Sequence, residues 1–172
     1  MGHFQPVHLG HIKTIQWILS QTPELVIIVG SAQESHRRDA PFTAGERITM
    51  LRLGLNEAKV DASTYFILPI KDAKNHANWI KLIAECSPKF DVVYSNELSQ
   101  MALSLMGNAN YQVHSVPPYH REIYSGTEVR RRMLTDGNWE VLLPRNVADF
   151  VKEIDGVSRV KNATSRRQTK VV

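Results

Sequence analysis

Residues 25–29 read Leu-Val-Ile-Ile-Val, apolar at every position. A strand with one face in water alternates apolar and polar residues. A strand with no polar side needs cover on both faces, which a parallel sheet between two layers of helices supplies. The strand is read over 24–30, and three more follow at 65–70, 90–95 and 111–116. Helical segments separate them. Ile12, Ile15, Ile18 and Leu19 recur at helical spacing. Thr43 and Glu46 have the spacing of a capping box, opening a helix with Ile48, Leu51 and Leu55 on one face. Further helices are predicted over 79–86 and 97–106. Ser125 and Glu128 repeat the capping-box spacing before a helix over 126–135, and Pro144 opens a last helix with Val147, Val151 and Ile154 inward. The expectation is an α/β fold, a doubly wound parallel sheet with a helical C-terminal portion. Ligands bind such sheets beyond the carboxyl ends of the strands, which points to the loops 31–42, 71–78 and 120–127.

A chain of 172 residues suits one domain with a real core. Its 42% apolar and 22% charged residues are those of an ordinary globular protein. The one cysteine, Cys86, excludes an intrachain disulfide and fits a reducing, cytoplasmic setting. No apolar run approaches the length of a membrane helix, and no export signal is expected. The formal charge is +4, but Arg159, Lys161, Arg166, Arg167 and Lys170 all follow the last acid, Asp155. Without those five the remainder carries −1. The boundaries expected are therefore a domain over 1–161 and a basic, loosely packed tail over 162–172. That tail has no aromatic residue, so a solvated end is preferred to a nucleic-acid-binding arm.

Chemistry concentrates in two places. Residues 2–11 read Gly-His-Phe-Gln-Pro-Val-His-Leu-Gly-His, placing His8, Gly10 and His11 where the first helical pattern begins. A helix N-terminus has unpaired N–H groups and favours anions. Two imidazoles add donors for phosphate oxygens, and a glycine permits close backbone approach. The plain alternative is a polar turn with surface histidines. Residues 124–132 read Tyr-Ser-Gly-Thr-Glu-Val-Arg-Arg-Arg, with Ser125 at a helix N-cap, Thr127 in the first turn and Arg130 about one turn on. These groups suit a polyphosphate. Alone they also read as a capped helix with a solvated basic face.

Together the segments resemble the nucleotidyltransferase superfamily, marked by His-x-Gly-His and a distal Ser-x-Thr-x-x-Arg. Further stretches narrow the likeness to archaeal-type nicotinamide mononucleotide (NMN) adenylyltransferases. They are Gly-Ser-Ala-Gln at 30–33, Ser35-His36, Pro-Phe-Thr-Ala-Gly-Glu-Arg at 41–47, and Asp72 followed by Trp79. The resemblance implies a Rossmann-like fold and adenylyl transfer from ATP to NMN, giving NAD and pyrophosphate, with Mg2+ accompanying ATP. It assigns His8, His11 and Arg130 to catalysis, and His3, Phe4, Gln5, Gly10, Ser125, Thr127 and Arg130 to ATP. It assigns Ser31, Asp72 and Trp79 to NMN, and no protein side chain to the metal. A cationic nicotinamide on an indole face gains roughly 0.5–2 kcal/mol, whereas the structural alternative packs Trp79 against Ile80 and Ile83. Glu46 and Arg47 are given no catalytic role. Relatives of this kind form homo-oligomers, often hexamers, and no nucleic acid or membrane partner is expected.

Several residues depart from the pattern. His3 stands where relatives carry arginine, and His76 where asparagine is common. Tyr94-Ser95-Asn96-Glu97 differs from the usual Tyr-Ser-Gly-Asn, and Arg37-Arg38-Asp39 holds an arginine in uncertain register. A phosphate-binding turn of this type follows a strand, and only Met1 precedes Gly2, so the first strand reads as truncated. Alternative readings are adenylyl transfer to phosphopantetheine or FMN, and a nucleotide sensor with weak or no catalysis.

Overall fold

The side chains of β1 (Leu25–Val29) are divided between two apolar layers. Leu25, Ile27 and Val29 join a large core with α1 (Leu9–Leu19) and α2 (Ala44–Glu57), whose Met50, Leu51 and Leu55 are fully buried. Val26 and Ile28 turn the other way, onto a smaller cluster with Trp79, Ile80 and Ile83 of α3 (His76–Cys86). β2 (Tyr65–Pro69) pairs with β1 in parallel, Leu25 opposite Tyr65 through Val29 opposite Pro69. It divides in the same manner, Tyr65 and Ile67 toward the first layer and Leu68 toward the second. Helices thus cover both faces, as an all-apolar strand requires. The structure, a computed structural model, describes residues 1–95, 111–117 and 119–165.

β3 (Val92–Ser95) and β4 (Gln112–Ser115) form a second parallel pair, from Val92 opposite Gln112 to Ser95 opposite Ser115. Among the described residues the two pairs are separate two-stranded sheets. An apolar groove of about 620 Å³ lies between them, bordered by residues 25–28 and 91–94. Gly2 occupies one place in that gap. Its N–H donates to the Ile28 carbonyl and its own carbonyl accepts from Gly30, both at 3.0 Å, making a parallel bridge with Val29. The turn bearing the histidines therefore leaves directly from the sheet edge. The helix expected over 97–106, with Asn96 and Glu97, lies outside the described residues. No helix among the described residues is long and apolar enough to cross a membrane.

The C-terminal portion holds α4 (Gly126–Leu134), α5 (Arg145–Glu153) and α6 (Gly156–Ser165). Val147 and Val151 are fully buried as expected, but α5 is not the last helix. Asp155, at φ 54°, reverses the chain. A Cβ on Gly156 would lie 2.9 Å from both Phe42 and the Val151 carbonyl. So short a break, with Val157 and Val160 feeding the same core, leaves little trace in the sequence. Residues 162–165 of the expected tail continue α6, and 166–172 lie outside the described residues. Two of the late cations are structural. Arg159 bonds both Glu46 carboxylate oxygens at 2.7 Å, and Lys161 bonds Asp136.

α5 begins at Pro144, which has no capping side chain. Glu57, at the end of α2, serves instead, its two oxygens accepting from the N–H groups of Arg145 (2.9 Å) and Asn146 (2.8 Å). Glu57→Ala should lower stability in urea titration by about 1 kcal/mol, the scale of a lost N-cap; an unchanged midpoint would show that water replaces this cap without cost.

Candidate active site

The turn from Gly2 delivers His8 to the N-cap of α1, with His11 as the third helical residue. Each imidazole caps the other's backbone. The His11 N–H donates to His8 Nδ1 at 3.3 Å, and the His8 N–H donates to His11 Nδ1 at 3.2 Å. Two histidines thereby reproduce the reciprocal bonds of a Thr-x-x-Glu capping box, the kind that Thr43 and Glu46 form at the start of α2. The rings stack with centroids 3.5 Å apart. A nitrogen that accepts a hydrogen bond carries no proton, so each neutral ring holds its proton on Nε2 and presents an N–H donor there. Burial keeps them neutral. It pushes His8 down to about 4, and together with the neighbouring His8 and the chain's amino group it holds His11 well below the ordinary histidine value.

α4 opens onto the same space. Ser125 Oγ accepts from the Glu128 N–H at 3.2 Å, completing half of the expected capping box. Glu128 does not reach back, because guanidinium groups offer its carboxylate stronger, charge-assisted bonds. It takes Arg131 at 2.6 and 2.8 Å and Arg132 at 2.8 Å, which draws it down to about 2. Arg130 projects differently. Its Nη1 donates to the Gln5 carbonyl at 2.5 Å and its Nη2 to Thr127 Oγ1 at 3.5 Å. Two glycines allow this approach. A Cβ on Gly10 would lie 2.8 Å from the Tyr124 Cβ, and one on Gly126 would lie 2.8 Å from the Gln5 carbonyl. Gly10 therefore provides room for the chain entering α4, a packing role beside its place in the phosphate motif.

The two helix starts and the loops after β1 and β2 enclose a polar basin of about 840 Å³. His3, Phe4, His8, His11, Ser31, Asp72, Ser125, Thr127 and Arg130 all line it. On one rim Ser31 Oγ donates to Asp72 Oδ1 at 3.0 Å and Gln33 Nε2 to Asp72 Oδ2 at 2.7 Å. Gln33, part of the Gly-Ser-Ala-Gln stretch, is thus a third member of that rim. Gln5 borders the basin, but its side-chain amide is engaged with Phe42, donating to its carbonyl and accepting from its N–H at 2.9 Å each. Phe4 is buried, its ring 4.7 Å from that of His11. Trp79 borders the apolar groove rather than the polar basin and packs with Ile28 and Ile70, with Ile80 and Ile83 alongside. One further residue belongs to the 41–47 stretch, yet nothing in the sequence marks it as buried. Arg47 is fully buried beneath the basin and donates to the carbonyls of Thr43, His3, Gly30 and Ser31. A guanidinium read from sequence counts as a surface charge, and only the fold encloses it.

Comparison with known proteins gives a consistent result. Residues 1–132 match the family described as cytidylyltransferase-like. The chain is 44% identical over 165 residues to the nicotinamide-nucleotide adenylyltransferase of Methanosarcina acetivorans, covering 96% of this chain and 92% of that protein. It is 41% identical over 161 residues to the enzyme of the same name from Thermococcus kodakarensis, covering 94% and 85%. In structure it resembles a bifunctional NMN adenylyltransferase/ADP-ribose pyrophosphatase from Francisella tularensis, with TM-score 0.80 at 18% identity. That match covers 97% of this chain and 52% of the bifunctional one, so the chain spans about half its length. A second structure of that bifunctional protein, complexed with AMP and a manganese ion, matches with TM-score 0.76.

The histidine pair makes stability depend on pH. Unfolding frees imidazoles that take protons near pH 6.5, whereas folded His8 resists until about 4. Its contribution is intact above pH 6.5 and is lost as pH falls toward 4. From pH 7 to 5 the loss should be about 2 kcal/mol by this linkage. His8→Asn keeps an N-cap acceptor that does not titrate and should flatten the fall in urea-melt stability. Equal slopes in variant and wild type would place the pH dependence elsewhere.

Proposed function

The chain belongs to the cytidylyltransferase-like family and, within it, to the nicotinamide-nucleotide adenylyltransferases, and from that premise we propose that it transfers the adenylyl group of ATP to NMN. The NMN phosphate oxygen attacks the α-phosphorus of ATP in line. The bond from that phosphorus to the bridging oxygen breaks, and pyrophosphate leaves. The carrying observation is that two helix N-termini, two Nε2–H imidazoles and Arg130 line one basin. A phosphate monoester is already anionic, so the protein's work is alignment and neutralisation of charge on the phosphates. His8 and His11 hold oxygens around the transferring phosphorus as neutral donors. They therefore act without taking or giving up a proton.

Ser125, Thr127 and Arg130 hold the β- and γ-phosphates and then the departing pyrophosphate. Burial draws the Arg130 pKa down from its ordinary value, yet a guanidinium stays charged at neutral pH. The Gln5 carbonyl fixes the angle of that charge. Ser31 and Asp72 form the acceptor rim, and Trp79 is the proposed nicotinamide contact. Its packing on Ile70, two residues before Asp72, supports that placement, and its burial gives it a core role as well. Mg2+ would accompany ATP, a hard ion suited to phosphate oxygens, and would neutralise part of their charge.

The test is NAD formation from ATP, NMN and Mg2+, read through alcohol dehydrogenase. Arg130→Ala should lower kcat about 10²-fold, the loss that follows removal of one preorganised donor. Phosphopantetheine or FMN turned over faster than NMN would reassign the acceptor. A folded chain that binds ATP and makes no dinucleotide would instead be a nucleotide sensor.

A further inference from the structure

The proposed reaction makes no use of Arg47, the largest fully buried side chain in the protein. The hydrogen bonds described for its guanidinium run to backbone carbonyls: Nε to Thr43 (3.2 Å), Nη1 to His3 (3.0 Å) and Gly30 (2.8 Å), and Nη2 to Ser31 (3.1 Å). A cation enclosed near a helix N-terminus bears a desolvation cost and an unfavourable helix dipole. An uncharged side chain of similar length avoids both. What the guanidinium supplies instead is a planar fork that holds several acceptors in fixed directions.

Those acceptors mark two strained turns. His3 precedes Phe4 at φ 52°, and Gly30 precedes Ser31 at φ 47°. Both are left-handed conformations that a non-glycine residue adopts only at a cost. Because a trans peptide is planar, a carbonyl turned toward Arg47 turns the following N–H the opposite way. One side chain thus sets the orientation of peptides 3–4 and 30–31, which lie side by side and lead, the one into the histidine turn, the other into the Ser31–Asp72 rim. Through Ser31 it also sets the Ser31–Asp72 contact.

We propose that Arg47 is a positioning residue that locks the His3–Phe4 and Gly30–Ser31 turns, fixing the spacing between the phosphate side and the acceptor side of the basin. Arg47 itself is 0% exposed beneath the basin it borders, so the proposed role is to hold these turns rather than to contact a nucleotide. The inference rests on the adenylyl-transfer reading for the identity of the two ligands.

Arg47→Lys tests it, keeping the charge and removing the fork. Leu55→Ala, fully buried on the same helix and outside the basin lining, is the control for lost stability alone. At a temperature where both variants are folded, Arg47→Lys should raise KM for NMN and Kd for ATP about tenfold or more, the scale of a small misplacement of binding groups. Leu55→Ala should lower Tm and leave both constants within about twofold. Unchanged constants in folded Arg47→Lys, or equal losses in the two variants, overturn the proposal. If Arg47→Lys does not fold, the wild type decides. The Nη–H nuclear magnetic resonance (NMR) signals of Arg47 should shift on saturation with ATP, and unmoved signals reject the positioning role. A wild-type chain that binds ATP and makes no NAD sinks the reaction while leaving the ATP arm of this test intact, so the two failures are distinct.

Discussion

Two hydrogen bonds, each from a backbone N–H to the Nδ1 of the other histidine, join the fold of this protein to its proposed chemistry. They satisfy donors that the start of α1 leaves open. They also commit each ring to one tautomer. The nitrogen used for capping is spent, and the remaining one becomes a donor. Protonating Nδ1 would remove a cap and add charge in a buried place, so the groups that order α1 are the groups held neutral. The fold and the proposed chemistry draw on the same two bonds.

The rest of the molecule serves to place that helix start. β1 is apolar on both sides and is gripped by α1 and α2 on one face and by α3 on the other. Gly2 joins its end, so the histidine turn leaves from the sheet at a fixed point. The loops after β1 and β2 leave from the same end, and α4 is drawn close by Gly10 and Gly126. A chain of polar contacts runs from the C-terminal helix into this region. Arg159 holds Glu46, Glu46 closes the cap on Thr43, and Arg47 in the next position grips the turns at His3 and Gly30.

The parts of this design that are legible in the sequence are periodic or rest on a specific motif. The all-apolar 25–29 run implies cover on both faces, and the Thr43–Glu46 box marks the start of α2. His8, His11, Ser125, Thr127 and Arg130 share one basin, as their motifs require. What stayed hidden depends on competition or enclosure. Glu128 has the spacing of a capping residue, but Arg131 and Arg132 outbid the Ser125 N–H for it. The turn at Asp155 and Gly156 is too short to separate two helices by pattern. Gln5 looks free to meet a ligand until Phe42 occupies its amide. Nothing local marks Arg47 as buried, because its acceptors lie 16, 17 and 44 residues away as well as in its own helix cap. The histidine pair does carry a signal, an i to i+3 spacing shared with the capping box, which the phosphate-binding reading masks.

In the proposed site His8 and His11 are neutral donors at Nε2, held so by mutual capping. The most direct measurement is the ¹⁵N NMR spectrum of their imidazoles at neutral pH, with and without ATP. Both Nδ1 nitrogens should be unprotonated and both Nε2 nitrogens protonated, and ATP should shift the Nε2 signals most. A proton on either Nδ1, or a charged imidazole in the free protein at neutral pH, would contradict that assignment.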